Sequence, residues 1–128
     1  MILLDYLQRN KGENLQTFEQ TVRQVALKLG INPNWLMMVM YFESRLNAQA
    51  VNKQSGDSNN PLDRISKRAV GLIQFMPETA KNLGTSTKVL YNMSAIEQLH
   101  YVYAYFKPYA GKITSFYDLY LVTFFPIA

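Results

Sequence analysis

Few side chains in this 128-residue chain can carry acid–base chemistry, and Glu43 is one that stands in an unexpected place. It follows the run Leu36-Met37-Met38-Val39-Met40-Tyr41-Phe42. On a helix, residues three, four and seven positions back share a face, so Met40, Val39 and Leu36 lie beside the carboxylate. Acidic groups seldom leave water without a partner. Loss of water disfavours the charged form, raises the pKa and keeps the proton on the carboxyl near neutral pH, which is the state a general acid needs to protonate a leaving oxygen. A second reading is structural: Glu43 pairs with Arg45, Lys53 or Arg68 and anchors the chain that follows. Periodicity leaves both open.

Other chemistries are thinly supplied. The chain has no cysteine, which removes disulfides and thiolate nucleophiles, and its single histidine, His100, cannot build a histidine-rich metal site. No metal and no cofactor are expected. Asp57 and Asp63, fourteen and twenty residues beyond Glu43, could orient a water, although Gly56-Asp57 and Pro61-Leu62-Asp63 also suit turns. The segment Gly71-Leu72-Ile73-Gln74-Phe75-Met76-Pro77 sets one glycine and one amide in an apolar stretch. Glycine lets a backbone approach a ligand closely, and main-chain groups with a Gln amide suit sugar hydroxyl and acetamido groups. A turn before a helix is the plainer alternative.

Helices must position these groups. Thr17 with Gln20 makes a capping box, and Phe18, Val22, Val25, Ala26 and Leu29 recur at helical spacing until Gly30, predicting a helix over 18–29. Asn32-Pro33 caps a second helix, Trp35 to Leu46, apolar nearly all round and so buried on most sides. From Asn47 to Ala69 the composition turns polar, predicting a long loop of the kind that is usually a functional lid or disordered. Pro77 starts a short helix that Gly84 stops. Ser94 with Glu97 caps another from Ala95 to about Phe106, ended by Pro108, and Ser115 with Asp118 starts a last apolar helix ending near Pro126. Tyr101, Tyr105, Tyr109, Phe116 and Tyr120, at helical spacing, read as core before sugar platforms, as do Met37, Met38 and Met40. Strand signals are weak. The expected fold class is all-α, or α-dominated, in a single domain over 1–128, with an apolar end that reads as a piece cut from a longer chain.

Thirteen Lys and Arg against nine Asp and Glu give a net charge of +4, which favours an anionic partner. These cations are scattered, whereas a nucleic-acid arm would be denser. No apolar run is long enough to span a bilayer, so neither nucleic acid nor membrane insertion is expected.

Glu43-Ser44, then Asn47, Ala48 and Ala50, then Gly71-Leu72-Ile73-Gln74 with Met76-Pro77 and Thr79-Ala80, resemble the E-S, G-L-M-Q and P-x-T-A motifs of soluble lytic transglycosylases. The resemblance covers Pro33 to Gly84, and the helix Ala95 to Phe106 resembles the family's third motif region. It implies a lysozyme-like helical domain with a substrate cleft, shared with goose-type lysozymes, and peptidoglycan glycan strands as the partner. The implied reaction cuts the β-1,4 bond between N-acetylmuramic acid and N-acetylglucosamine. Glu43 is then the catalytic acid and base, with substrate bound by Ser44, Gly71, Leu72, Ile73, Gln74, Phe75 and Met76. One departure concerns a family tyrosine near the acid, whose counterpart here is Phe124; Tyr101, Tyr103, Tyr105 or Tyr120 could replace it.

Two other functions stay in play. A hydrolytic muramidase would use Glu43 as acid and Asp57 or Asp63 as base, at the separation of about 6.5–9.5 Å typical of inverting pairs. A non-catalytic glycan-binding or structural module would keep the fold alone. The expected place of action is the cell wall or periplasm, reached within a virion, such as a bacteriophage tail, within a wall-spanning machine, or as part of a longer exported protein.

Overall fold

The computed structural model describes residues 6, 8–10 and 13–124. Its elements in chain order are α1 (Leu15–Leu29), α2 (Pro33–Ser44), a 3-10 turn (Pro61–Asp63), α3 (Pro77–Asn82), α4 (Thr87–Tyr91), α5 (Ala95–Phe106), a second 3-10 turn (Lys107–Tyr109) and α6 (Phe116–Phe124). Among the described residues no strand forms; isolated bridges join Val51 to Val70 and Val70 to Phe75. The all-α expectation holds. None of these helices is long and apolar enough to cross a membrane.

The five apolar positions predicted for α1 are its buried residues, Phe18, Val22, Val25, Ala26 and Leu29. They pack α1 against α5 and α2, and each large side chain so buried contributes about 1.5–3 kcal/mol. The helix begins earlier than Thr17 predicts, because Asn14 is the actual cap, its side chain accepting the Thr17 N–H at 3.0 Å. Ser94 and Glu97 form the full reciprocal capping box of α5, and the Ser115 hydroxyl accepts the Asp118 N–H. The Pro126 end of the last helix lies outside the described residues.

Helix α2 ends at Ser44, two residues short of the predicted Leu46. The reason is backbone conformation without a glycine: Arg45 and Leu46 both adopt left-handed φ, 55° and 61°, which reverses the chain. Such residues cost roughly 1–2 kcal/mol each and persist where the surroundings hold them. Here the Leu46 carbonyl accepts from the Asn10 amide at 2.5 Å, and Leu46 itself is buried. The helix is also less enclosed than its composition predicts, since Phe42 is 58% exposed and Met38 is at the surface.

The polar segment between Asn47 and Ala69 is neither structureless nor a free lid. Arg64, which is buried, donates to the carbonyls of Val51, Asn52 and Ser58 at 2.8, 3.0 and 2.8 Å. Arg68 binds Asp57 through both carboxylate oxygens, at 2.8 and 2.9 Å. Asn60 caps the Pro61–Asp63 turn. Backbone groups that a loop would leave to water are thus satisfied by its own cations and amides.

Candidate active site

Glu43 sits one residue before the end of α2, half-buried, above Leu36, Val39 and Met40, which are all inside the core. Burial alone pushes its carboxyl up from the usual carboxylate range to about 7. Two of the cations that could have neutralised it, Arg45 and Arg68, are engaged elsewhere. Arg45 donates to the Tyr41 hydroxyl at 2.8 Å and lies 4.9 Å from that ring's centroid, while Arg68 is held by Asp57. Among the described residues Glu43 has no ion-pair partner. The anchoring role for Glu43 is therefore not adopted.

The loop opposite α2 is built around Val70–Phe75. Val70 and Phe75 exchange both backbone hydrogen bonds at 2.9 Å, closing a small ring of chain. Within it the Gly71 N–H goes to Ala50 O, the Leu72 N–H to Gln98 Oε1, and the Gln74 N–H to Gly71 O. The Leu72 carbonyl accepts the Ser44 hydroxyl at 2.8 Å, and that hydroxyl also reaches Met40 O. Only the Ile73 N–H in this ring has no acceptor among the described residues. Gln74, at φ 59°, donates its amide to Ala50 O and Gly71 O, so its Oε1 is left over.

This geometry divides the residues expected to touch substrate. Ser44, Gly71, Leu72 and Phe75 are buried and their polar groups are spent inside the protein, so they support the loop. The missing Cβ of Gly71 makes room for the side chain of Gln98. Ile73 N–H, Gln74 Oε1 and the 55% exposed Met76 keep free capacity. With Tyr105, Thr123 and Phe124 they line a hollow of about 90 Å³.

Of the four tyrosines that could stand in for the family's, Tyr105 feels the charge of Glu43. Burial first, then Tyr109 and Glu43, push its phenol up to about 12, and its hydroxyl donates to Val122 O at 2.9 Å. Tyr120 is 38% exposed on α6, more open than a core position. Asp57 and Asp63 have structural occupations. Arg68 and the Gln54 N–H hold the Asp57 carboxyl well below its ordinary range, and Asp63 accepts the Ser58 hydroxyl at 2.7 Å.

Sequence reading missed Gln98 and Arg64, and it missed α4 with its Ser86 cap. An amide inside the apolar face of α5, and an arginine amid a polar loop beside Ile65, were the available signals.

The half-buried Glu43, without an ion-pair partner among the described residues, thus stands beside Ser44, whose hydroxyl ties α2 to the Val70–Phe75 loop. The family model of the transglycosylase SLT domain matches residues 20–109, and the chain belongs to that family. Membership carries lytic transglycosylase chemistry on cell-wall peptidoglycan in general terms. No curated protein and no solved structure matches the chain.

Proposed function

We propose that this domain cleaves the MurNAc-β-1,4-GlcNAc bond of peptidoglycan by lytic transglycosylation, with Glu43 as acid and then base. The observation that carries the reading is an unpaired Glu43 whose pKa is raised to about 7 by burial alone. In the first step the Glu43 carboxyl proton passes to the glycosidic oxygen, the C1–O bond breaks, and N-acetylglucosamine leaves with a free 4-hydroxyl. The muramyl N-acetyl oxygen stabilises the cationic C1, a substrate-assisted route that needs no second carboxylate. In the second step the Glu43 carboxylate takes the proton of the sugar's own 6-hydroxyl as that oxygen bonds to C1. The product is 1,6-anhydro-MurNAc, Glu43 regains its proton, and no water is consumed. Ile73 N–H and Gln74 Oε1 bind the sugar's polar groups and Met76 lies against its apolar face, while Ser44, Gly71, Leu72 and Phe75 hold that edge in place.

The engagement of Asp57 with Arg68 supports this route over a hydrolytic one, because a carboxylate held so firmly as an anion is a poor base. Mass analysis of digested wall decides between them. Disaccharide products lighter by one water carry anhydro ends, whereas reducing ends overturn the transglycosylase reading. Glycan bound without release of either product would leave a binding module. Whether the domain works in a phage tail, a wall-spanning machine or wall turnover is part of the same proposal, with the glycan strand as the partner in each.

A further inference from the structure

Gln98 lies wholly inside the protein on α5, and its amide is fully used. Oε1 accepts the Leu72 N–H at 2.9 Å, while Nε2 donates to Ala48 O at 2.6 Å and Leu90 O at 2.7 Å. These backbone groups belong to three separate segments: the chain just after α2, the loop opposite Glu43, and the end of α4. Few side chains can do this, since it takes one acceptor and two donors on a single planar head.

The same amide fills the space above Gly71. A Cβ placed there would lie 2.5 Å from Gln98 Oε1 and 3.0 Å from its Cδ and Nε2, on a backbone already at φ +91°. Gln98 cannot swing aside without breaking three buried hydrogen bonds. Glycine is what permits the approach.

We infer that Gln98 is a positioning residue for the Glu43 site, acting with Gly71 as a matched pair that fixes the Leu72–Gln74 turn against α2. The inference rests on the proposed role of Glu43. Leu72 is gripped from both sides: its N–H by Gln98 on α5, its carbonyl by Ser44, the neighbour of Glu43. The next N–H along the chain is that of Ile73, and the next amide that of Gln74. Loss of the Gln98 grip leaves the Leu72 N–H buried and unsatisfied, and the turn moves to relieve it. A move of 1 Å in a binding edge is enough to cost about 10²-fold in turnover efficiency.

Gln98→Met keeps the length and volume of the side chain and removes all three hydrogen bonds. Assayed on soluble glycan strands at a temperature where circular dichroism shows it folded, it is expected to raise KM at least tenfold while kcat stays within threefold of wild type. Unchanged KM overturns the positioning role. A second experiment needs neither turnover nor a folded Gln98→Met. Gly71→Ala is made in the wild-type and the Gln98→Ser backgrounds, and the urea midpoint of each is measured. Ser is too short to reach the new methyl, so the drop caused by Gly71→Ala should be smaller there, with only the backbone strain at φ +91° common to both backgrounds. Equal drops in both backgrounds overturn the pair. If the wild-type protein releases no muropeptides, the lytic reading fails by itself, while the urea cycle still decides the pairing and glycan-binding Kd replaces KM.

Discussion

The Glu43 carboxylate lies close enough to Tyr105 to raise the pKa of its phenol, although Tyr105 stands on α5 and Glu43 on α2. The converse influence is absent, since burial is the one cause of the shift at Glu43. A phenol pushed up to about 12 is neutral at working pH and carries no charge to Glu43. Its hydroxyl is directed to Val122 O, which ties the end of α6 to α5. Tyr105→Phe should therefore lose about 1 kcal/mol of stability, the worth of one hydrogen bond. It should leave the pH midpoint of activity where it is in wild type. A pH–rate profile moved by a full unit would show that the hydroxyl acts on the acid directly.

Glu43→Gln keeps the shape of the side chain and removes the proton it gives. Turnover should fall by at least the 10²–10⁴-fold that a general acid typically supplies, as read by muropeptide release. Survival of most activity would falsify the assignment of Glu43. The fold should persist with unchanged far-ultraviolet circular dichroism.

The raised pKa of Glu43 has two consequences of opposite kind. Activity needs the protonated acid at the first step, so kcat/KM should decline as pH rises through about 7. Stability follows the same sense, because the folded protein holds this proton more tightly than the unfolded chain, whose carboxyl titrates near the ordinary value of 4.5. The contribution is complete below that value and is lost as pH climbs to about 7. Wild type and Glu43→Gln should melt together at pH 4, and Glu43→Gln should melt higher at pH 8. Parallel melting curves across that range would mean that burial does not perturb the acid.

Asp57→Asn removes the anion that Arg68 grips. Its carboxyl is held low, so the stability it contributes is present above its ordinary pKa and disappears as pH falls below it. At pH 7 the variant should become more sensitive to protease within 47–69, yet keep kcat within threefold and still yield anhydro products. A loss of turnover beyond 10²-fold, with the fold intact, would restore Asp57 as a base.

Arg64→Met leaves the carbonyls of Val51, Asn52 and Ser58 without their shared donor. A loss of about 2–3 kcal/mol is expected in urea unfolding, in keeping with hydrogen bonds from a charged group to a buried acceptor. No change in the urea midpoint would show that water substitutes for the guanidinium.

The parts legible in the sequence were those written in local periods. The buried face of α1 follows from spacing alone, and so does the Ser94–Glu97 cap of α5, because both depend on residues within one or two turns of each other. Glu43 was legible for the same reason: its apolar neighbours lie three, four and seven residues back. The end of α2 was not, since Arg45 and Leu46 take left-handed φ under the hold of Asn10, 36 residues earlier than Leu46. Nor was the supporting role of Ser44, Gly71 and Leu72. The partners that hold them lie 21 to 28 residues away, and a motif records residue types without recording which polar groups are already spent.

Glu13 provides a last consequence, in the order of assembly. Its two carboxylate oxygens accept the first N–H groups of α5, those of Ala95 and Ile96, at 2.9 and 3.0 Å and across 82 and 83 residues of chain. An anion at a helix start is favourable, but this one closes a loop that contains Glu43 and the whole of the Val70–Phe75 ring. Closure over such a separation is slow compared with helix formation, and it awaits synthesis of residue 96. A chain made from its N-terminus therefore carries the acid well before it can close this clasp.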